Sequence, residues 1–280
     1  MYPTLFVSWI HSYGLLMAVG FYAGWWLAAV RAKQEGIDPD IVGNIVLISI
    51  LSGVVGARLL WFILYRDPSE SWWTIVEVWK GGLVFYGGLI SAVVADIVYL
   101  RRRGLHALRV ADILAPAVAV GQGFGRIGCF LNGCCFGGVC SPTFPLGVRF
   151  PALFGQDGGV VGSPVYRAHL DLAWVTREAT VSLPVHPTQL YTAAFLFLTA
   201  LVLITATPHK RRHGEVFGLL GILHGVSRFA VELVRRDSPG IILGLKAGQL
   251  GAIVIFAAGA LLLVWTRRRG TPVPWATRAS

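Results

Sequence analysis

Seven apolar runs long enough to cross a membrane recur along this chain, and they constrain its fold more than any other feature. They cover residues 9–30, 41–64, 82–100, 110–131, 187–206, 215–234 and 244–266. About 20 helical residues cross the hydrocarbon core of a bilayer. Because every backbone polar group in lipid needs an internal partner, such a run is predicted to be an α-helix. The sequence therefore predicts an all-α polytopic membrane protein with about seven transmembrane helices.

The composition agrees with a single membrane domain. Hydrophobic residues make up 55% of the chain and charged residues only 14%, whereas soluble domains carry about 25% charged residues. We expect residues 1–270 to form one integral membrane domain and 271–280 to form a flexible cytoplasmic tail. The Pro- and Gly-rich segment 138–184 is expected to be a small external cap, with short strands near residues 146–150 and 179–183.

The basic residues predict the orientation of the chain. They are concentrated in one set of alternate connecting segments, for example 101–103 and 267–269. Short cytoplasmic loops collect Lys and Arg, so we expect an external N-terminus and a cytoplasmic C-terminus. The net charge of +10 is then explained by topology beside anionic lipid. No nucleic-acid-binding motif is present, and we expect no nucleic acid partner. The first run lacks the features of a cleaved signal peptide and is expected to stay as an anchor in the inner membrane.

The end of the fourth run, residues 121–137, reads GQGFGRIGCFLNGCCFG and carries Arg126. An arginine at a helix centre in a bilayer costs about 2.5 to 3.5 kcal/mol and faces a protein interior or a watery cavity. On a helix, Gly121, Gly125 and Asn132 share one face beside the row that holds Arg126, and small residues there permit close helix packing. A packing seam with Arg126 paired to a carboxylate is one interpretation. Arg126 beside Asn132 favours a functional site.

The sixth run supplies a second polar stripe. His224, Arg228 and Glu232 are spaced four residues apart, and Arg235 follows. Arg228 and Glu232 can pair along the helix, either as a purely architectural ion pair or so that Glu232 aims Arg228 at a ligand phosphate. Together with Arg126 on another helix, Arg228 predicts a site for an anionic head group.

Further hydrogen-bonding groups lie at the ends of other runs. His186, Gln189 and Tyr191 belong to the HPTQLY sequence that opens the fifth run, where a histidine can also be a cap or a solvated residue. Tyr13 in the first run is either a site residue or an interfacial anchor. Tyr86 in the third run is surrounded by four glycines, which permit a bend or a close ligand approach.

Arg58 in the second run is another charge at membrane depth. Arg58 either forms a structural ion pair with an acidic residue or has a role toward the substrate. Either reading requires a partner for the guanidinium group.

The four cysteines, Cys129, Cys134, Cys135 and Cys140, are spaced C-x4-CC-x4-C. This spacing fits no common zinc pattern, so neither a metal nor an organic cofactor is implied. A disulfide between Cys140 and Cys134 or Cys135 is one alternative. Small, adaptable buried side chains are the other.

These pieces together resemble the prolipoprotein diacylglyceryl transferase family of seven-helix bacterial inner-membrane enzymes. The resemblance runs from about Tyr13 to Arg235 through SYGLL, GGLVFYGGL, GRIGCFLNGCCFG, HPTQLY and SRFAVELVRRD. Five matches in order are far more specific than any one of them.

The resemblance implies transfer of diacylglycerol from phosphatidylglycerol to the lipobox cysteine thiol of prolipoproteins, with release of glycerol phosphate. The expected partners are therefore phosphatidylglycerol, prolipoproteins and membrane lipid. We expect catalytic roles for Arg126, Arg228, Tyr86 and His186. The residues expected to bind substrate are Tyr13, Asn132, Gly137, Gln189, Tyr191, Glu232 and Arg235.

The chain departs from the family pattern within its signature. Cys129 stands where the family has Asn, Cys134 where it has Glu, and Tyr86 where many members have His. A tyrosine, with a pKa of about 10, is a poorer base than histidine near pH 7. Tyr86 therefore only positions the head group, or the chain is a divergent member with another acceptor. A carrier of anionic lipids or solutes, and a membrane thiol oxidoreductase built on the cluster from Cys129 to Cys140, are the alternative functions.

Overall fold

A computed structural model describes residues 12–67, 71–152, 163–235 and 244–273. Within these ranges the regular elements are helices, and the strand pairing is limited to isolated bridges. The α-helices are α1 (Ser12–Gln34), α2 (Pro39–Tyr65), α3 (Phe85–Arg102), α4 (Ala107–Asn132), α5 (Pro164–Asp171), α6 (Thr188–Ala206), α7 (Glu215–Val234) and α8 (Ala247–Arg269).

Among the described residues, six helices are long and apolar enough to cross a membrane: α1, α2, α4, α6 with the turn after it, α7 and α8. The predicted all-α polytopic membrane class is confirmed, and each of the seven predicted runs overlaps one of the long helices. Helix α3 has 18 residues and carries Asp96, Arg101 and Arg102. Its crossing of the membrane stays a prediction.

The chain divides into two compact units. The first consists of Met1–Gly24 with Leu114–Ser280, and the second of Trp25–Ile113. A single membrane domain over 1–270 stays a prediction. Of the predicted tail, residues 274–280 lie outside the described residues, while Val273 donates from its backbone N–H to the Arg211 carbonyl over 2.9 Å.

In the first unit, helices α1 and α4 pack through glycines. A Cβ placed on Gly20 would lie 2.9 Å from the Gly121 carbonyl oxygen, and one on Gly128 would lie 3.2 Å from the Tyr13 ring. The prediction that the glycine face of α4 admits a neighbouring helix closely is confirmed. This contact sets Tyr13 against the C-terminal end of α4.

In the second unit, Arg58 is buried and ties the segment after α2 to that helix. Its guanidinium donates to the carbonyls of Ile75 (3.2 Å), Gly82 (3.2 Å), Thr74 and Gly81, and it stacks on the ring of Trp61. Within the described residues, backbone carbonyls rather than the acidic residue of one open alternative hold the guanidinium group. Arg58 therefore has a structural role.

The cap segment, residues 138–184, contains α5 and irregular pairing in its described parts. The predicted strands were wrong as regular elements: the two segments run antiparallel but meet only in isolated bridges such as Val148↔Val185 and Pro151↔Val181. The register shifts by one residue between these two bridges, and the Phe150 N–H donates to the Ser182 hydroxyl over 3.0 Å rather than to a backbone carbonyl, so no continuous ladder forms. Phe150, Val165 and Val185 form the buried core of this segment.

Candidate functional site

The turn that follows α4 brings three thiols together. Helix α4 ends at Asn132, and Gly133 has a φ of +73°, a conformation that glycine adopts readily. The chain then folds back so that the Cys134 N–H donates to the Cys129 carbonyl over 3.1 Å. Cys135 also has a positive φ, +60°. As a result the Sγ atoms of Cys129, Cys134 and Cys135 all lie within 4.8 Å of one another. We refer to residues 129–135 as the cysteine turn.

The start of α6 holds this turn in place. The Thr188 hydroxyl donates to the Cys135 carbonyl over 2.9 Å, and the buried Gln189 amide donates to the Cys134 carbonyl over 2.7 Å. The Gly137 N–H donates to the His186 carbonyl over 2.9 Å, and a Cβ on Gly137 would lie 2.7 Å from the Thr188 methyl group. The HPTQLY sequence therefore positions the backbone beside the site.

Arg126 lies half-buried on α4, one turn before Cys129. Its charge acts on Tyr13, Cys135 and His224. In the part of the chain that the structure describes, no hydrogen bond or ion pair holds its guanidinium group. The packing interpretation, in which a carboxylate pairs with Arg126, finds no support within those residues.

Glu232 organises the cations at the end of α7. Its buried carboxylate lies 3.2 Å from the Arg228 guanidinium and 3.9 Å from that of Arg235, which confirms the predicted pairing of Arg228 with Glu232. The Lys246 ammonium group donates to the Glu232 carbonyl over 3.0 Å and to the Arg235 carbonyl. Both guanidinium groups lie within ion-pair distance of the same oxygen, Oε2, so the Glu232 carboxylate brings the two arginines together.

The arginines of α4 and α7 converge on one region. His224 lies within electrostatic range of both Arg126 and Arg228, and Cys135 lies within range of both Arg126 and Arg235. We call Arg126, Arg228 and Arg235, with Glu232 and His224, the arginine site. It contains three guanidinium groups and one buried carboxylate, so the site has an excess of positive charge suited to an anion.

Cys135 is the most acidic thiol of the cysteine turn. Hydrogen bonds from the Cys129 and Cys134 thiols hold the pKa of Cys135 well below its usual value, and the charges of Arg126 and Arg235 lower it further. All four cysteines of the chain are free thiols, so the alternative of a disulfide with Cys140 is not formed.

The surroundings of the other predicted site residues differ from one residue to the next. The Asn132 side chain hydrogen-bonds to the Cys134 thiol, so Asn132 borders the site. The His186 ring lies 3.4 Å from the Tyr191 hydroxyl and packs against Phe144 at 4.8 Å. Tyr86 lies in the second unit with an exposed ring. The catalytic and binding roles assigned to these residues stay predictions.

Two features of the site were not predicted from the sequence. His224 was placed on the polar stripe with no role of its own, although its four-residue spacing from Arg228 indicated that the two side chains lie on one face. The other feature is Gly248, where a Cβ would lie 2.5 Å from the Glu232 carboxyl carbon. That contact joins α7 to α8 and has no sequence signal.

Comparison with known proteins identifies the family of the chain. The family model described as prolipoprotein diacylglyceryl transferase matches residues 4–265. A protein of Clostridium tetani is 32% identical over 263 residues, covering 92% of this chain and 95% of its own length. One of Chromohalobacter salexigens is 33% identical, covering 93% and 89%, and one of Photorhabdus laumondii is 34% identical, covering 91% and 88%. All three are named phosphatidylglycerol–prolipoprotein diacylglyceryl transferase. The chain therefore belongs to the prolipoprotein diacylglyceryl transferase family.

Proposed function

We propose that this protein transfers the diacylglyceryl group of phosphatidylglycerol to the thiol of a lipobox cysteine in a prolipoprotein and releases glycerol phosphate. The observation that carries the proposal is the convergence of Arg126 and Arg228 around His224, with Arg235 beside Cys135. The names of the relatives state both substrates, a phosphatidylglycerol and a prolipoprotein.

The arginine site suits the leaving group of this reaction. When the bond between the glycerol carbon and the phosphate oxygen breaks, negative charge develops on the phosphate. Guanidinium groups already positioned in a water-poor site stabilise such charge without reorganisation. Arg228 and Arg235 are held by Glu232, at 3.2 and 3.9 Å, while Arg126 is left for the ligand in the described part of the chain. We assign head-group binding to these residues, with Asn132, Tyr13 and Gly137 at the border of the site.

The acceptor thiol needs help to become a nucleophile. A free cysteine has a pKa of about 8.5, and its thiolate is the reactive form. Among the described residues, His224 is the imidazole in range of both Arg126 and Arg228. We assign the removal of the thiol proton to His224. Many family members have a histidine at the position of Tyr86, whereas this chain has a tyrosine there, which is a poorer base. His186 is then left to position substrate.

The chain is a multi-pass membrane protein, and we place it in the bacterial inner membrane. The concentration of arginines in segments such as 101–103 and 267–269 supports an external N-terminus and a cytoplasmic C-terminus. In this orientation the C-terminal end of α4 lies at the external side, where an exported prolipoprotein arrives.

Mass analysis of both substrates tests the reaction class. Purified protein is incubated with phosphatidylglycerol vesicles and a lipobox peptide. We expect a peptide that gains one diacylglyceryl group, together with free glycerol phosphate. Unmodified peptide with lipid moved between vesicles would instead identify a carrier. A peptide converted only to a disulfide would identify a thiol oxidoreductase.

A further inference from the structure

The three thiols of the cysteine turn are close enough to share one cation. The Sγ atoms of Cys129, Cys134 and Cys135 lie within 4.8 Å of one another. A zinc–thiolate bond of about 2.3 Å in a tetrahedron sets neighbouring sulfur atoms about 3.8 Å apart. The longest separation therefore needs to close by about 1 Å, which side-chain rotation can provide.

The backbone of the turn is fixed from two directions. The Cys134 N–H is bonded to the Cys129 carbonyl, while Thr188 and Gln189 donate to the carbonyls of Cys135 and Cys134. Cys135 is held at a φ of +60°, a conformation that a non-glycine residue keeps only where its surroundings impose it. Such a turn presents preformed ligands.

The surroundings match the charge of a zinc–thiolate group. A divalent cation with three thiolates has a net charge of −1. The guanidinium groups of Arg126 and Arg235 both act on Cys135 and offset that charge. The Asn132 side chain hydrogen-bonds to Cys134, and residues around a metal site commonly hydrogen-bond to its ligands in this way.

The cluster leaves one coordination position free. In the described ranges, no fourth Cys, His, Asp or Glu joins the three cysteines. Cys135 is exposed, so the cluster is open on one side. Three protein ligands with an open fourth position are typical of catalytic zinc sites, whereas structural sites are closed by four.

We propose that Cys129, Cys134 and Cys135 bind one zinc ion whose fourth position takes the acceptor cysteine of the prolipoprotein. The acceptor role rests on the proposed transferase function. The thiol coordinates as a thiolate and its proton passes to His224. A sulfur lone pair then forms the carbon–sulfur bond while the carbon–oxygen bond breaks and its electron pair leaves with the phosphate. Nothing is oxidised or reduced, and the neutral thioether, a weaker ligand, is replaced by water.

Cobalt substitution tests the site. Full-length protein in detergent is reduced, stripped with a chelator and titrated with Co²⁺. We expect one Co²⁺ per chain with sulfur-to-cobalt charge-transfer absorption, and its displacement by Zn²⁺. Cys140→Ser, the matched control outside the cluster, should bind equally, whereas Cys134→Ser and Cys135→Ser should weaken binding at least 100-fold. A lipobox peptide should change the cobalt spectrum, and the same peptide with serine for its cysteine should not.

Three results would separately contradict the zinc site, its acceptor role and the transferase function. No thiolate absorption in the wild-type chain, or the same absorption in a Cys134→Ser, Cys135→Ser double variant, overturns the zinc site. Equal transfer rates for stripped and zinc-loaded wild type overturn the acceptor role and leave the transferase function standing. A cobalt-binding protein that forms no lipidated peptide in either state overturns the transferase function instead.

Discussion

At the scale of single residues, the site depends on one buried carboxylate. The Glu232 side chain is only 3% exposed and faces the guanidinium groups of Arg228 and Arg235. Removing one partner of a buried pair leaves an uncompensated charge and is strongly destabilising. A change that displaces the carboxylate without removing it is therefore the sharper probe of its role in aiming the arginines.

Two glycines of α8 provide that probe and its control. A Cβ on Gly248 would lie 2.5 Å from the Glu232 carboxyl carbon, whereas a Cβ on Gly251 meets no atom within 4 Å. We expect Gly248→Ala to lower kcat/KM about 100-fold, the cost of a misplaced catalytic geometry of about 1 Å. Gly251→Ala should keep full activity and gain about 0.5 to 1 kcal/mol of helix stability. Full activity in both variants would show that the position of Glu232 does not matter.

His224 is the residue that gives the reaction its expected pH dependence. A histidine acts as a base only when neutral, so wild-type activity should fall as the pH is lowered into the range in which the imidazole takes up a proton. We expect His224→Gln to lower kcat about 10²- to 10⁴-fold and to remove this acid limb from the profile. The measurement is kcat against pH for both proteins. A variant that keeps the wild-type profile assigns the proton transfer to another group.

At the scale of elements, the contact of α1 with α4 positions Tyr13 near Arg126. Gly20 and Gly121 allow the two backbones to meet, and backbone atoms have no flexible end that can move away. We expect Gly20→Ala to lower the unfolding free energy by about 1 to 3 kcal/mol, since its Cβ would lie 2.9 Å from a carbonyl oxygen. The measurement is the thermal unfolding midpoint in detergent.

Gly14→Ala is the matched control on the same helix. A Cβ at Gly14 meets no atom within 4 Å, so this variant should unfold at the wild-type temperature or above it. Equal losses in the two alanine variants would mean that helix propensity, rather than the close approach of α1 to α4, sets the stability.

Features that depend on residues close together in the sequence could be predicted, and features that depend on the backbone conformation of a turn could not. The long helices followed from apolar runs, and the Arg228–Glu232 pair followed from four-residue spacing on one helix. The cysteine turn could not be predicted, because it depends on positive φ values at Gly133 and Cys135 rather than on cysteine spacing.

The strands of the cap segment were predicted but did not form as regular elements. The alternation of residues 146–150 predicted a ladder, but the register shifts by one residue between the Val148↔Val185 and Pro151↔Val181 bridges. Local periodicity indicates which segments favour an extended backbone. It does not indicate whether two such segments keep one register along their length.

At the scale of the whole molecule, the orientation of the chain decides which substrate can reach the site. Reporter fusions should place the loop near Arg211 in the cytoplasm and the loop near Ser141 outside, because the first follows the basic pattern and the second belongs to the predicted external cap. A reporter that is active in the cytoplasm when fused near Ser141 would reverse the predicted orientation.

The most direct test of the account is the rate at which labelled diacylglycerol moves from phosphatidylglycerol to a lipobox peptide in two arginine variants. Arg126→Ala and Arg228→Ala should each lower this rate about 10²- to 10³-fold, the usual loss when one group that stabilises transition-state charge is removed. Arg268→Ala, at an exposed helix end, is the control and should transfer normally. Near-normal transfer by both site variants, with the chain folded, would contradict the convergence of Arg126 and Arg228 on one lipid phosphate.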